Sequence, residues 1–252
     1  MDKKLEKSMD KFGLIGKNIA YSFSKAYFKK KFEKQAIHAS YENFDIDNIE
    51  KFPHIITKTQ GLKGLNVTIP YKEAIIPFLD KLDKKAKKIG AVNTIKITSK
   101  GNLKGYNTDY YGFKKSLKPL LKPHHKRALI LGTGGASKAI EQALKKLDID
   151  YMFVSRTPSN KGVFTYNALT KELVSDYQII INCTPLGTFP NVEDCPKIPY
   201  NAITTGHILY DLIYNPEETT FLKLGRKKGA ITINGLKMLQ LQADKAWTIW
   251  NK

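Results

Sequence analysis

The stretch LILGTGGASK places a glycine turn between a predicted strand and a predicted helix, a combination suited to holding a dinucleotide. Such a turn aims backbone N–H groups and the positive end of a helix at a pyrophosphate. The residues that would line it are Gly132, Thr133, Gly134, Gly135 and Ala136. An ordinary tight turn between a strand and a helix would also give this pattern, so the next strand has to decide.

The next predicted strand ends in FVSRT, about where a dinucleotide-binding domain selects its ribose group. An NAD-type domain usually carries an acid there, whereas this chain has Ser155, Arg156 and Thr157. A guanidinium can bind a 2′-phosphate through two hydrogen bonds, and the hydroxyls add donors. The pattern favours NADP; the alternative is an arginine that is simply exposed on the surface.

Further polar residues follow predicted strands of the N-terminal part. Lys72 ends NVTIPYK, just past a strand that Pro70 stops because proline has no N–H. The spacing predicts a helix from there to Gly90, which would put Lys72 in a first turn where the helix dipole disfavours a cation. Ser22 and Asp109 also come after strands. Since ligands of open α/β sheets bind beyond the carboxyl ends of strands, one cleft could hold all three side chains.

Each of these residues also has an ordinary structural interpretation. Asp109 could cap the helix that follows it, and Ser22 and Ser24 could cap the first helix. Asn93 could be a turn residue at the start of a strand.

The elements that would position them alternate along the chain. The segments FGLIG, HASYENFDI and LNVTIP are predicted strands separated by helical segments, which indicates a mainly parallel sheet covered on both faces. AVNTIKIT and LKGYN form a predicted hairpin, so this sheet is mixed. A second alternating system begins with RALIL, after the basic linker KPHHKR. We expect a first domain of residues 1–108 rejoined by 236–252, and a second domain of residues 109–235.

Composition restricts the classes of protein. The chain has 252 residues, 42% of them apolar, which is enough for two packed cores. Nothing in it approaches the roughly 20 apolar residues of a membrane span, and the N-terminus lacks the apolar region of a signal peptide. Cys183 and Cys195 are not spaced for a metal site or a disulfide framework. We expect a cytoplasmic protein without metal or membrane association.

The net charge of +19 raises the possibility of nucleic-acid binding. The basic residues, however, are spread over predicted solvent-facing helical positions, and no zinc-finger, basic-region or RRM signature is present. We therefore expect no nucleic-acid partner, and expect the charge to speed the encounter with anionic small molecules.

Several stretches together resemble shikimate dehydrogenase, from about Phe12 to Trp247. They are GKNIAYSFSKAYF, GLNVTIPYKEAI, IGAVNTIK, KGYNTDYYGF, LGTGGASKAI, FVSRT, INCTPLG, YDLIYNP and NGLKMLQLQA, in this order. The resemblance implies two α/β domains, a mixed-sheet substrate domain and a Rossmann-like NADP-binding domain. It also implies reversible NADPH-dependent reduction of 3-dehydroshikimate to shikimate in aromatic amino-acid biosynthesis, by a monomer or homodimer.

The resemblance also implies roles for individual residues. Lys72 and Asp109 would form the catalytic pair, with Lys72 passing the proton to or from the oxygen on the reacting carbon. The substrate carboxylate would be bound by Ser22, Ser24 and Tyr214, and the ring hydroxyls by Thr68, Asn93 and Gln242. The cofactor would be held by Gly132 to Ala136 and by Ser155 to Thr157, with Thr184, Leu212 and Gly235 lining the nicotinamide side.

The chain departs from the family pattern at a few positions. Tyr21 stands where a histidine is usual, Lys25 where a proline is usual, and Ser155 where an asparagine is common. TPLGTFP lacks the methionine that often follows the glycine. Two alternatives stay open: a quinate/shikimate dehydrogenase that uses NAD, and a non-catalytic dinucleotide-sensing or nucleic-acid-binding protein.

Overall fold

The computed structural model describes residues 9–20, 22–157 and 163–252. Its strands are β1 (Asp10–Gly16), β2 (Ala39–Asp45), β3 (Leu62–Val67), β4 (Lys81–Leu82), β5 (Thr94–Ile97), β6 (Leu103–Tyr106), β7 (Arg127–Leu131), β8 (Asp150–Ser155), β9 (Val163–Thr165), β10 (Ile179–Asn182), β11 (Ile208–Asp211) and β12 (Ile231–Ile233). Its α-helices are α1 (Phe23–Lys34), α2 (Phe52–Lys58), α3 (Lys84–Ile89), α4 (Asp109–Leu117), α5 (Gly135–Lys145), α6 (Lys171–Ser175), α7 (Thr220–Arg226) and α8 (Leu236–Trp250).

The chain divides into two compact units. The first extends to Thr108 and includes Ala243–Lys252, and the second is Asp109–Gln242. Helix α8 therefore contributes residues to both units, whereas the sequence interpretation assigns all of 236–252 to the first domain.

The sheet of the first unit has the order β2-β1-β3-β5-β6-β4. Strands β1, β2 and β3 are parallel, and β5 is antiparallel to both β3 and β6. Strand β6 therefore runs in the direction of β3. The carboxyl ends of β1, β2, β3 and β6 and the amino end of β5 meet at one edge, and this confirms the predicted mixed sheet.

Both faces of this sheet are covered by apolar clusters. Successive side chains of a strand point to opposite faces, so neighbouring residues belong to different clusters. Ile15 of β1 lies in an apolar cluster with Leu65 and Val67 of β3. Its neighbour Leu14 lies in a different cluster with residues of α1 and the end of α8. Trp250 of α8 is fixed there by a hydrogen bond from its Nε1 to the Ile95 carbonyl, 2.9 Å long.

The sheet of the second unit is parallel throughout and has the order β12-β11-β10-β7-β8-β9. When the six strands of this sheet are numbered 1 to 6 along the chain, their order in the sheet is 6-5-4-1-2-3, the arrangement of a Rossmann dinucleotide-binding fold. The strand order reverses between β7 and β10, and ligands of such sheets bind beyond the carboxyl ends at that point. The predicted second α/β domain and its type are thereby confirmed.

Two predicted helix starts are wrong. Residues 71–75 form turns and not an α-helix, and a 3-10 turn at Ile76–Phe78 and the short β4 follow before α3 begins. Pro77 cannot donate a helical hydrogen bond, and Asp83 starts α3 by accepting the Lys85 N–H at 3.0 Å. Lys72 is therefore not at the start of an α-helix.

The other error concerns α7. It begins after Thr219, and not at Asn215 as the sequence suggests. The buried Thr219 hydroxyl donates to Asp211 at 2.6 Å and accepts the Leu222 N–H at 3.4 Å. The tertiary contact with Asp211 therefore determines that Thr219 is the N-cap of α7. The short strands β4 and β9 were not predicted.

Candidate active site

Asn93 and Thr108 connect β5 and β6 at the edge of the first sheet where the carboxyl ends of β1, β2, β3 and β6 meet. Asn93 precedes β5 and Thr108 follows β6, and both are buried. The Thr108 N–H donates to Asn93 Oδ1 at 2.7 Å, and Asn93 Nδ2 donates to Thr108 Oγ1 at 3.0 Å. This pair fixes the position of the residues that adjoin it in the chain.

Lys72 lies in a turn that is hydrogen-bonded to the residue before Asn93. Within this turn the Tyr71 N–H donates to the Thr68 carbonyl at 2.9 Å, and the Val92 N–H donates to the Lys72 carbonyl at 2.7 Å. Val92 directly precedes Asn93. The turn that carries the half-buried Lys72 is therefore anchored beside the Asn93 amide.

Asp109 directly follows Thr108 and is the first residue of α4. Its side chain is buried, with 6% of the residue exposed. A carboxylate in a first helical turn is favoured by the helix dipole. Asp109 thus occupies the first helical position and not the cap position that the ordinary interpretation assigned to it.

The residues expected to bind substrate in the first unit lie at the same edge. Ser22 caps α1 by accepting the Lys25 N–H at 3.3 Å, so its ordinary interpretation is realised. Ser24 is buried in α1 and hydrogen-bonds the Tyr41 hydroxyl. Thr68 directly follows β3, and its N–H donates to the Ile15 carbonyl at 2.9 Å. Tyr21 lies outside the described residues.

Asp45, at the end of β2, was not singled out from the sequence. Its carboxylate accepts the N–H groups of Asn18 and Ile19 at 2.9 and 3.0 Å. It thereby holds the loop that leads from β1 towards Ser22.

In the second unit the glycine turn lies at the point where the strand order reverses. Gly132 has a φ of 103°, and a Cβ there would lie 3.1 Å from Thr184 Cγ2 and 3.3 Å from the Cys183 carbonyl carbon. Gly132 is therefore required by both conformation and close approach. It brings the turn after β7 against the residues that follow β10.

The start of α5 is suited to an anion. Gly134 caps the helix in an extended conformation, a Cβ there would meet nothing within 4 Å, and the first turn contains no acid. Gly135, Ala136 and Ser137 form that first turn. The Ser137 N–H donates to the Gly134 carbonyl at 3.0 Å. The N–H groups of the two residues before it have no helical acceptor, so this helix start can receive a pyrophosphate, and Thr133 lies in the preceding turn.

Thr184 is positioned by a series of hydrogen bonds between buried polar side chains, which was not predicted from the sequence. Its hydroxyl donates to Asn182 Oδ1 at 2.6 Å, and Asn182 Nδ2 donates to Asp211 Oδ1 at 3.1 Å. Thr219 donates to the other Asp211 oxygen. Burial raises the pKa of Asp211 to about 6, although three hydrogen bonds favour its charged form.

Leu212 and Gly235 are brought together next to Tyr214. The Gly235 N–H donates to the Ile213 carbonyl at 2.9 Å, and a Cβ at residue 235 would collide with the Leu212 carbonyl oxygen. Only glycine allows the chain before α8 to pass so close to the end of β11. Tyr214 is half-buried.

Gln242 lies on the side of α8 that packs against α4. A Cβ at Gly112 would lie 2.5 Å from the Met238 carbonyl oxygen and 3.1 Å from Gln242 Cβ, so the two helices touch at Gly112. Gly112 is three residues after Asp109, and residues three apart share a helix face. Gln242 is thereby held on the face of α4 that carries Asp109.

Arg156 and Thr157 follow β8 and are exposed. The Thr157 N–H donates to Ser155 Oγ at 3.4 Å, which turns the chain sharply after the strand. Residues 158–162, which continue this connection, are outside the described part of the chain.

Comparison with known proteins decides the family. A family model described as "Shikimate dehydrogenase substrate binding domain" matches residues 14–95. The "Shikimate dehydrogenase (NADP(+))" of Methanosphaera stadtmanae is 39% identical over 256 residues, with 94% of this chain and 90% of that protein covered. The chain belongs to the shikimate dehydrogenase family.

Solved shikimate dehydrogenases have the same fold. Shikimate dehydrogenase 1 from Peptoclostridium difficile has a TM-score of 0.83 at 40% identity, covering 96% of this chain and 92% of that one. The shikimate 5-dehydrogenase of Thermus thermophilus in complex with NADP(H) and shikimate has a TM-score of 0.85 at 31% identity, covering 96% and 93%.

Within this shikimate dehydrogenase fold, several site-supporting residues gave no signal in the sequence. They are polar residues buried in or just beyond strands: Tyr41, Asn66, Thr94, Thr108, Asn182 and Asp211. A polar residue in an apolar strand is a weak signal by itself, because only the pairing of strands shows what it contacts.

Two further observations concern the described residues alone. Among them, no group of His, Cys, Asp and Glu side chains has the arrangement of a metal site. No helix in residues 9–20, 22–157 and 163–252 has the length and apolar character needed to span a membrane.

Proposed function

We propose that this chain catalyses the reversible NADPH-dependent reduction of 3-dehydroshikimate to shikimate, with Lys72 and Asp109 as its catalytic pair. The observation that carries the assignment of the pair is the bond between Asn93 and Thr108. Lys72 is anchored to the residue before Asn93, and Asp109 directly follows Thr108. A single buried contact therefore supports the backbone of both residues.

The chemistry of a ketone reduction fits these side chains. As the carbonyl carbon accepts hydride, its oxygen gains alkoxide character and needs a proton donor or a positive charge nearby. The Lys72 ammonium supplies both. Asp109 orients that ammonium and stabilises its charge. In the reverse direction Lys72 accepts the hydroxyl proton of shikimate.

The second unit fits NADP, which supplies or accepts the hydride when it is bound. Gly132 makes the turn that lets backbone approach the pyrophosphate. At the start of α5 the first turn contains no acid, and a Cβ at Gly134 would meet nothing within 4 Å. Arg156 follows β8, where it can bind the 2′-phosphate. Thr184, Leu212 and Gly235 line the nicotinamide side.

The substrate is held by its two polar ends. Ser22, Ser24 and Tyr214 bind the carboxylate, and Thr68, Asn93 and Gln242 bind the ring hydroxyls. The net charge of +19 accelerates the encounter with both reactants, because each is an anion. We place the enzyme in the cytoplasm, as a monomer or homodimer without a nucleic-acid partner.

The test is an assay of the purified chain with shikimate and with quinate, each with NADP⁺ and with NAD⁺, followed by the absorbance of the reduced cofactor. We expect shikimate with NADP⁺ to give the highest kcat/KM. A preference for quinate with NAD⁺ would replace the proposal by its alternative within the family. Absence of turnover with every pair, together with salt-dependent binding of DNA in a titration, would replace it by the nucleic-acid-binding alternative.

A further inference from the structure

Tyr41 occupies a buried position between two groups of expected substrate-binding residues. It lies in β2 and is 6% exposed. Its hydroxyl donates to Asn66 Oδ1 at 2.8 Å and receives a hydrogen bond from Ser24. Burial raises the pKa of Tyr41 above its ordinary value, so the hydroxyl keeps its proton and remains a donor.

Asn66 continues the connection from β3 to β5. Its Nδ2 donates to the Asn93 carbonyl at 3.2 Å and to Thr94 Oγ1 at 3.3 Å. Thr94 donates to Asn93 Oδ1 at 3.1 Å and lies 3.1 Å from the Thr108 hydroxyl. A continuous series of buried hydrogen bonds thus leads from Ser24 through Tyr41 and Asn66 to Asn93.

The ring of Tyr41 has little freedom to move. It stacks on the buried Phe28 of α1, with ring centroids 4.7 Å apart and planes at 12°. Phe28 is one helical turn beyond Ser24, so the stacking and the hydrogen bond fix the same part of α1 against β2.

We propose that Tyr41 is a positioning residue for the substrate. Its hydroxyl fixes the position of Ser24, which binds the substrate carboxylate, relative to Asn93, which binds a ring hydroxyl. This inference rests on the proposed function, since it assumes that Ser24 and Asn93 bind shikimate. A rigid ligand such as a cyclohexene carboxylate can satisfy both ends at once only if the distance between them is fixed beforehand. The Tyr41 series of hydrogen bonds provides that preorganisation.

Removal of the Tyr41 hydroxyl should disturb the substrate site because it leaves buried polar groups without their hydrogen-bond partners. Without the Tyr41 hydroxyl, Asn66 Oδ1 loses its donor and Ser24 loses its acceptor, and both side chains must find new partners. Their new orientations alter the substrate site without touching the cofactor site. A role in stability alone would lower the melting temperature and leave KM for shikimate unchanged.

The primary test is Tyr41→Phe, which keeps the ring on Phe28 and removes only the hydroxyl. We expect KM for shikimate to rise about five- to tenfold, in proportion to one lost buried hydrogen bond, with KM for NADP⁺ within about twofold of the wild type. The matched control is Tyr200→Phe, which removes a hydroxyl that donates to the Pro196 carbonyl at 2.8 Å in the second unit. It should lower stability without changing KM for shikimate.

A double-mutant cycle identifies the route. If Tyr41 acts through Ser24, Tyr41→Phe should raise KM for shikimate far less in a Ser24→Ala background than in the wild type. Thr94→Val breaks the series near its other end and should also raise KM for shikimate. It serves as the independent variant if Tyr41→Phe does not fold.

The outcomes separate this inference from the proposed function. If the wild type turns over shikimate and Tyr41→Phe has unchanged KM, or KM effects that add fully to those of Ser24→Ala, the positioning role is refuted and the function stands. Equal increases in KM for shikimate and for NADP⁺ would also refute it. A wild-type chain without turnover of shikimate would refute both.

Discussion

The Asn93 side-chain amide and Thr108 bind one another in both directions at the edge where β5 begins and β6 has ended. The two hydrogen bonds, at 2.7 and 3.0 Å, are buried and join residues fifteen positions apart. The contact adjoins the two segments proposed to be catalytic, the turn that carries Lys72 and the helix that begins with Asp109. Its loss should therefore affect stability and activity together.

Thr108→Val tests that contact. Valine has the shape of threonine but leaves the buried Asn93 Nδ2 without this acceptor, so we expect the free energy of unfolding to fall by about 1–3 kcal/mol. Urea unfolding measures it, and kcat/KM for shikimate should fall as well. The control is Thr57→Val, at an exposed hydroxyl that donates to the His54 carbonyl. It should change stability by less than about 0.5 kcal/mol.

Arg156→Ala tests the choice of cofactor. Loss of the guanidinium should raise KM for NADPH by about tenfold or more, because a charge-assisted contact with the 2′-phosphate disappears. KM for NADH should be unchanged. The matched control is Arg127→Ala at the amino end of β7, an exposed arginine 3.7 Å from Asp176. Equal effects of Arg156→Ala on NADPH and NADH would refute the assignment.

Asp211 should make stability depend on pH. Burial raises its pKa from 3.8 to about 6. The folded chain therefore retains a proton that the unfolded chain releases between pH 4 and 6. Stability from this group is fully present below about pH 4 and is lost as pH rises to about 6, an amount of about 3 kcal/mol.

Asp211→Asn removes this titration, so the comparison isolates it from other groups. Relative to the wild type, the variant should gain stability between pH 4 and pH 7, as measured by urea unfolding at both values. A constant difference between the two proteins would show that the Asp211 pKa is not raised. Because Asp211 holds Asn182, and Asn182 holds Thr184, a rise in KM for NADP⁺ is expected as well.

The alternation of strands and helices was predictable because each element is long enough to show its period. The glycine turn and the Rossmann-type sheet follow from LILGTGGASK and the strand pattern after it. The start of α7 was not predictable, since Asn215 and Pro216 carry a typical local start signal and the contact of Thr219 with Asp211 overrides it. The helix expected after Lys72 fails for a related reason, because Pro77 interrupts a pattern whose apolar spacing is otherwise helical.

The supporting residues of the site could not be found by local reasoning. Tyr41 and Asn66 are twenty-five positions apart, and their contact exists only because β1 pairs with both β2 and β3. The roles proposed for Lys72 and Asp109 rest on the family resemblance, and the Asn93–Thr108 contact that adjoins both is visible only in the fold. The sequence therefore predicts a chemistry for these residues, whereas the contacts that hold them in place are visible only in the structure.

Whether Lys72 and Asp109 act as one catalytic pair is measured most directly by kcat for Lys72→Ala, Asp109→Asn and the double variant with shikimate and NADP⁺. We expect Lys72→Ala to lower kcat by about a hundredfold or more, with a smaller effect on KM, because it removes the proton donor of the transition state. Asp109→Asn should also lower kcat, and the double variant should be about as active as Lys72→Ala alone, as for residues that act as a unit. An unchanged kcat in Lys72→Ala would contradict the account.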